Sequence, residues 1–107
     1  MKPINLLAEC RFRPDKFRPA LLHGSPRARA FLLCLEPGQG LDPRPDSEEM
    51  LCCLLQGRAE LTVAGETITL SPGDFASAPA GETRGLRAAE RSILLYLHLS
   101  SGPASHD

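Results

Sequence analysis

The chain has 107 residues, a length that predicts a single domain with a core large enough to fold without stabilising cross-links. Its 12 basic and 13 acidic side chains give a formal net charge of −1, which provides no long-range attraction to nucleic acid or to an anionic membrane. One tyrosine and no tryptophan leave no aromatic platform for stacked bases, so neither nucleic acid nor a membrane is expected as a partner.

The first forty residues are basic, with seven Lys or Arg against three Asp or Glu, whereas the remainder holds five against ten. We interpret residues 1–16 as an N-terminal leader, in which Asn5–Cys10 forms either one helical turn or an edge strand. The interleaved prolines and apolar residues are typical of a solvated or partner-facing surface. The apolar stretch near Met1 is too short for a signal peptide, which predicts a cytoplasmic protein.

Short segments separated by turn residues follow the leader and predict a barrel over residues 17–100. A turn is expected at His23–Pro26, a loop rich in Pro and Gly at Pro37–Ser47, and a flexible tail at residues 101–107. The whole chain is therefore one domain in this interpretation. The predicted strands are Phe17–Leu22, Arg29–Glu36, Glu49–Leu55, Ala59–Ala64, Thr67–Leu70, Phe75–Pro79, Thr83–Ala88 and Ser92–Ser100.

The periodicity of these segments predicts an all-β, antiparallel fold. Ala64-Gly65 joins two alternating runs as a hairpin, and the apolar members of those runs should share one face: Leu61, Val63, Ile68 and Leu70. Runs that are apolar on both faces, Ala30–Leu35, Met50–Leu55 and Ile93–Leu99, suit strands enclosed on both sides. Many short strands with regular turns are typical of a jelly-roll barrel, also called a double-stranded β-helix.

The four cysteines show no spacing typical of a metal cluster. Cys52 and Cys53 are adjacent and should face opposite sides of one strand. We expect all four, Cys10 and Cys34 included, to be free thiols that pack as small apolar residues. A disulfide between distant cysteines remains an alternative, but it is not required for a domain of this size.

Five residues carry a resemblance to the cupin superfamily: Gly38, Gly57, Gly73, Pro79 and Gly81. Their spacing is similar to the two cupin signatures G-x5-H-x-H-x3-E-x6-G and G-x5-P-x-G-x2-H-x3-N. The resemblance implies a small single-domain cupin with a jelly-roll barrel, and each of the five matches falls where a turn is expected independently.

The same alignment shows that the usual metal ligands are replaced. The resemblance implies three histidines and a glutamate inside the barrel, but these positions hold Arg44, Asp46, Arg84 and Met50. Arginine has no lone pair to donate to a cation and carries a fixed positive charge. A thioether is too soft for the hard metals of the family. We therefore expect no metal and no cofactor.

Other residues could restore a metal site in an unusual form. A one-residue slip would place Glu49 or Glu48 at the position of Met50. His98 lies on the last predicted strand, where it is either a satisfied strand histidine or a ligand. Asp46, Glu49 and His98 would then form a set of two carboxylates and one imidazole. The sequence leaves open whether they do.

A vacated pocket suggests a function in binding. Arg44, Asp46, Met50 and Arg84 would line it, and inward arginines would offer bidentate donors to a carboxylate or phosphate. In the alternative, Arg84 pairs with Asp46 or Glu49 and the site is structural. We predict a metal-poor cupin that binds a small anionic metabolite. Carboxylates or phosphates should then raise its melting temperature, and this stabilisation should be lost in Arg84→Ala. The other hypotheses are a metal-dependent dioxygenase or isomerase with unusual ligands, and a purely structural dimer. A homodimer is expected, covering the outer face of Ala30–Leu35 or Met50–Leu55.

Overall fold

The computed structural model describes residues 2–100, in which a four-residue helix precedes nine strands. All seven strand pairings within this range are antiparallel. No helix in residues 2–100 has the length and apolar content needed to cross a membrane. The elements are α1 (Leu6–Glu9), β1 (Ala20–Gly24), β2 (Ala28–Leu35), β3 (Gly40–Pro45), β4 (Glu49–Gln56), β5 (Ala59–Val63), β6 (Glu66–Leu70), β7 (Phe75–Ala78), β8 (Thr83–Ala88) and β9 (Ser92–Leu99).

The strands form two sheets that enclose the core. The five-stranded sheet has the order β1-β2-β9-β4-β7, and the four-stranded sheet has the order β3-β8-β5-β6. After the β1–β2 hairpin the chain passes repeatedly from one sheet to the other, so sheet neighbours are often distant in sequence. This arrangement confirms the antiparallel jelly-roll barrel expected from the sequence.

The core is built from alternate residues of the strands that face each other. On β4, Met50, Cys52 and Leu54 are buried while the residues between them are more exposed. Leu61 and Leu70 are 1% and 2% exposed, as the alternation predicts. Ile68 pairs with Leu61 across β5 and β6 and so shares its face as predicted, but its side chain is 49% exposed. It lies on β6, the edge strand of the smaller sheet, where fewer neighbours cover it.

The N-terminal segment lies against the outer face of the five-stranded sheet. Asn5 caps α1 by accepting a hydrogen bond from the Ala8 amide at 3.0 Å, so the segment forms a helical turn rather than an edge strand. Beyond α1, apolar side chains of this segment pack with the outward residues of β2 and β9. The cluster consists of Leu6, Cys10, Phe12, Ala20, Leu22, Leu32, Cys34 and Ile93. The outer face of β2 is therefore covered in part by the chain itself.

A disulfide joins Cys10 to Cys34 across this cluster, with Cα atoms 5.9 Å apart. The prediction of four free thiols was wrong for this pair, and only Cys52 and Cys53 are free in the described part of the chain. The cause is the path of the leader, which brings two cysteines separated by 24 positions onto the same face of β2. Sequence spacing carries no signal for such a contact.

The segment Pro37–Ser47 contains a strand, so the prediction of a loop there was wrong over Gly40–Pro45. This strand, β3, carries Pro43 and Pro45, which lack amide hydrogens and are tolerated because β3 lies at a sheet edge. Its pairing with β8 is irregular between Leu41 and Arg44. Pro43 packs where Gly85 lacks a side chain, since a Cβ on Gly85 would lie 2.8 Å from the Pro43 Cγ.

Two turns show why the glycine spacing is informative. Gly57 has a φ of +94°, and a Cβ there would lie 2.2 Å from the Arg91 carbonyl oxygen. Only glycine fits both conditions. The predicted hairpin at Ala64-Gly65 is also present, with both residues at positive φ, of 54° and 84°.

The predicted strand at Phe17–Leu22 begins later, at Ala20, because Phe17 instead packs against the main core.

Candidate functional site

A cavity of about 690 Å³ opens between the two sheets and is partly covered by the leader. Residues of β2 and β9 line one side, those of β3 and β8 line the other, and Lys16 of the leader and the adjacent Phe17 also contribute. Its volume lies within the range of about 300–1,000 Å³ that is usual for small-molecule sites. Three of the four residues predicted to line a pocket are here, namely Arg44, Asp46 and Arg84.

Arg84 points into the barrel and is 4% exposed. Its Nε donates to the Glu82 carbonyl at 2.9 Å, Nη1 to the Glu48 carbonyl at 2.7 Å and Nη2 to the Pro79 carbonyl at 2.7 Å. A longer contact of 3.5 Å joins Nη2 to the Asp46 carbonyl. The guanidinium therefore ties together the backbone of the β3–β4 and β7–β8 connections. The predicted inward orientation is present, but most of its donors are engaged by carbonyl oxygens.

Arg44 differs from Arg84 although the two residues are paired across β3 and β8. Its side chain is exposed at the cavity wall and forms no hydrogen bond or ion pair within residues 2–100. Lys16 lines the same cavity and also has no such partner in that range. The cavity thus presents two cations whose donors are unused.

Met50 does not line the cavity. Its side chain is fully buried in the core, where it packs between the sheets. Of the hypothetical pocket residues, this one was wrongly placed in the pocket. The position that a glutamate occupies in the family signature is here filled by an apolar side chain, which needs no polar partner.

His98 takes part in a charged network at the cavity wall. Its Nδ1 lies 2.9 Å from Oε1 of Glu48 and 3.8 Å from Oδ2 of Asp46. The same Glu48 oxygen accepts a hydrogen bond from Arg29, which pairs with His98 across β2 and β9. The hydrogen bond with His98, followed by that with Arg29, holds the pKa of Glu48 below its usual range despite partial burial.

Glu48 rather than Glu49 completes this network, which corrects one part of the alternative set proposed from the sequence. Glu49 is exposed at the start of β4, whereas Glu48 is half-buried. Met50 pairs with His98 across β4 and β9, and Glu48, in the bend just before β4, reaches the same histidine without a slip in β4. Asp46 lies within the same group and accepts a hydrogen bond from the Glu48 amide at 2.9 Å.

Tyr96 lines the cavity opposite Phe31 on the neighbouring strand. Burial raises the pKa of its phenol to about 12, Cys52 and Asp46 act in the same direction, and Arg84 and Arg44 oppose the rise. The hydroxyl has no hydrogen-bonding partner in residues 2–100, yet it is not a buried unsatisfied atom, so it is open to the cavity. It is therefore a neutral donor near physiological pH.

The side chains that could bind a metal ion already have partners within the protein. One ligand atom each from Asp46, Glu48 and His98 lies within 4.8 Å of the others. Coordination would require Glu48 and His98 Nδ1 to give up their mutual hydrogen bond and Arg29 to release Glu48. Arg44 and Arg84 add positive charge to the same cavity and would repel a divalent cation. These residues do not fit the usual metal of such a barrel.

The cavity also contains residues that sequence reasoning did not place there. These are Lys16, Phe17, Arg29, Phe31 and Tyr96. The positions of Phe31 and Tyr96 could have been found from the strand period of two. Phe31 lies two residues before Leu33 and Tyr96 two residues after Leu94, and both leucines are buried in the main core. Lys16 and Phe17 have none, since the path of the leader depends on tertiary packing.

The fold and the glycine framework define the class of the protein. The family model described as "Cupin domain" matches residues 31–100, more than half of the chain, and the chain therefore belongs to the cupin family. The resemblance inferred from the sequence is confirmed. No curated protein is similar enough in sequence to supply a function.

Solved structures of bacterial proteins are similar over nearly the full chain. TT1209 from Thermus thermophilus is 28% identical with a TM-score of 0.87, covering 94% of this chain and 98% of that one. An RmlC-like cupin from Desulfovibrio desulfuricans is 25% identical with a TM-score of 0.82, covering 92% and 96%. The SPY1581 protein of Streptococcus pyogenes, described as of unknown function, is 23% identical with a TM-score of 0.85, covering 94% and 89%.

Proposed function

We propose that this cupin binds a small organic carboxylate in the cavity and does so without a metal ion. The observation that carries the proposal is the state of Arg44, a cation at the cavity wall with no hydrogen-bonding or charged partner within residues 2–100. A free guanidinium offers paired donors in the geometry that a carboxylate accepts.

The charges around the cavity favour an anion. Its lining includes four cationic side chains, Lys16, Arg29, Arg44 and Arg84, against the two carboxylates of Asp42 and Asp46. Asp42 is engaged by Arg87 at 2.7 Å and Arg29 by Glu48, both partners lying outside the lining. The remaining balance is three cations, Lys16, Arg44 and Arg84, against Asp46. Tyr96 lines the same cavity as Arg44, so its phenol is a further hydrogen-bond donor available to a carboxylate there.

The test is calorimetric titration of the protein with acetate and benzoate, supported by thermal shift. The Arg44→Ala variant should bind at least about tenfold more weakly, because a charge-assisted hydrogen bond contributes about 1.5–3 kcal/mol. Arg27→Ala is the matched control, since Arg27 is an exposed cation outside the cavity lining. Equal affinity in Arg44→Ala and Arg27→Ala, or no binding of either carboxylate, would contradict the proposal.

A further inference from the structure

Aromatic residues are concentrated in this cavity far beyond their share of the chain. The sequence has four phenylalanines, one tyrosine and no tryptophan. Three of these five rings, Phe17, Phe31 and Tyr96, line the cavity, and His98 adds a fourth planar ring. A small, highly charged ligand gains little from aromatic contacts, whereas a planar apolar ligand is stabilised by packing against these rings.

Three of these rings, those of Phe31, Tyr96 and His98, are grouped around His98. The Phe31 and His98 rings meet edge to face, with centroids 6.0 Å apart and planes at 78°. The Tyr96 and His98 rings are tilted at 46°, with centroids 5.3 Å apart. The register of the sheet explains the grouping, since Phe31 lies directly opposite Tyr96 on β9. Offset and edge-to-face contacts of this kind are those that a bound aromatic ring would extend.

One further polar group opens onto this surface. Nδ1 of His98 is held by Glu48, which leaves Nε2 as the ring nitrogen that can meet a ligand. Nε2 has no partner within residues 2–100 and is not a buried unsatisfied atom, so it is accessible. His98 Nε2 differs in chemistry from the Arg44 guanidinium. In a neutral imidazole a ring nitrogen can accept or donate a hydrogen bond, whereas the guanidinium only donates.

We propose that the bound anion is an aromatic carboxylate with a hydroxyl group on its ring. The carboxylate binds Arg44 and the Tyr96 hydroxyl, the ring packs against Phe31 and Phe17, and the ring hydroxyl bonds to His98 Nε2. This inference rests on the proposed function and narrows it to one class of ligand. The cavity of about 690 Å³ accommodates a single-ring ligand of this class.

The experiment compares four probes by calorimetry: acetate, cyclohexanecarboxylate, benzoate and the better of 3- and 4-hydroxybenzoate. Cyclohexanecarboxylate matches benzoate in size and charge but has no π-system. Benzoate should bind about two- to tenfold more tightly than cyclohexanecarboxylate. The hydroxybenzoate should gain a further factor of about two to ten from one hydrogen bond.

Two variants assign these preferences to named side chains. Phe31→Leu should bring the affinity for benzoate down to that for cyclohexanecarboxylate. His98→Asn keeps an amide near Nδ1 for Glu48 but removes Nε2, and should bring the affinity for the hydroxybenzoate down to that for benzoate. Arg27→Ala serves again as the variant outside the cavity.

The outcomes separate this inference from the proposed function. Binding that depends on Arg44 but is equal for benzoate and cyclohexanecarboxylate, or unaffected by Phe31→Leu, overturns the aromatic assignment alone. A hydroxybenzoate preference that survives His98→Asn overturns the role of His98. Absence of binding by all four probes overturns the proposed function and this inference together.

Discussion

Substitution of Arg84 by alanine should destabilise the protein more than substitution of any exposed arginine. The guanidinium is 4% exposed and makes three hydrogen bonds of 2.7–2.9 Å to carbonyl oxygens. Alanine would leave the carbonyls of Glu48, Pro79 and Glu82 without these donors in a partly buried region. Each buried acceptor left unsatisfied costs about 1–3 kcal/mol, so the loss of donors to three carbonyls should lower the free energy of unfolding by at least about 3 kcal/mol.

The matched control lies on the same strand. Arg87 of β8 binds Asp42 at 2.7 Å and the Gly38 carbonyl at 2.9 Å, but its side chain is 45% exposed. Because such surface contacts contribute about 0–1 kcal/mol, Arg87→Ala should change stability little. Arg84→Lys retains the charge but reaches fewer carbonyl oxygens, and it should fall between the two alanine variants.

Urea denaturation followed by far-ultraviolet circular dichroism measures these differences. A stable domain of this size unfolds with a free energy of about 5–15 kcal/mol, so the expected loss in Arg84→Ala is a large share of the total. Thermal melting should show a fall in Tm of at least roughly 12 °C, from about 4 °C per kcal/mol. If Arg84→Ala costs no more than Arg87→Ala, the carbonyl contacts do not stabilise the barrel and the reasoning is wrong.

Three other predictions follow from features of the same fold. Reduction of the Cys10–Cys34 bond, which closes a separation of 24 residues, should lower the free energy of unfolding by about 3 kcal/mol, and reductant should have no such effect on a Cys10→Ala variant. Elemental analysis of protein purified without chelator should find no iron, manganese, nickel or zinc near one equivalent, because Arg29 engages Glu48. Near-stoichiometric metal that is lost in Asp46→Ala would instead show a metal centre. Finally, we expect a homodimer through the outer face of β4 and β7, where Phe75 is 65% exposed beside the half-exposed Cys53. Light scattering should give two chain masses for the wild type and one for Phe75→Ser, and a wild-type mass of one chain would contradict this.

Much of the fold was predictable because its turns have strict steric requirements. At Gly57 a positive φ and a close approach to the Arg91 carbonyl combine, so the residue type identifies the position. The hairpin at Ala64-Gly65 was predicted for the same kind of reason. The strand β3 was missed because its prolines are typical of loops, and only its position at a sheet edge makes them compatible with pairing.

The candidate site was predictable only in part. The family spacing pointed to Arg44, Asp46 and Arg84, which line the cavity, but it could not show that backbone carbonyls engage Arg84. The sequence offered Glu49 or Glu48 near His98 and favoured Glu49, because the bend that directs Glu48 to His98 has no sequence signal. The contributions of the leader could not be predicted, because its path over the sheet is set by contacts between residues that are far apart in sequence.

The prolines of β3 have a consequence for growth of the protein into fibres or larger sheets. A strand from another molecule that approached this edge would find no amide hydrogen at Pro43 or Pro45, so it could not form a continuous ladder there. Head-to-tail extension of the four-stranded sheet requires both of its edge strands to form hydrogen bonds with another molecule, and of these two strands only β6 has no proline. Pro43 and Pro45, which make β3 resemble a loop in the sequence, thus also disfavour edge-to-edge association of the protein.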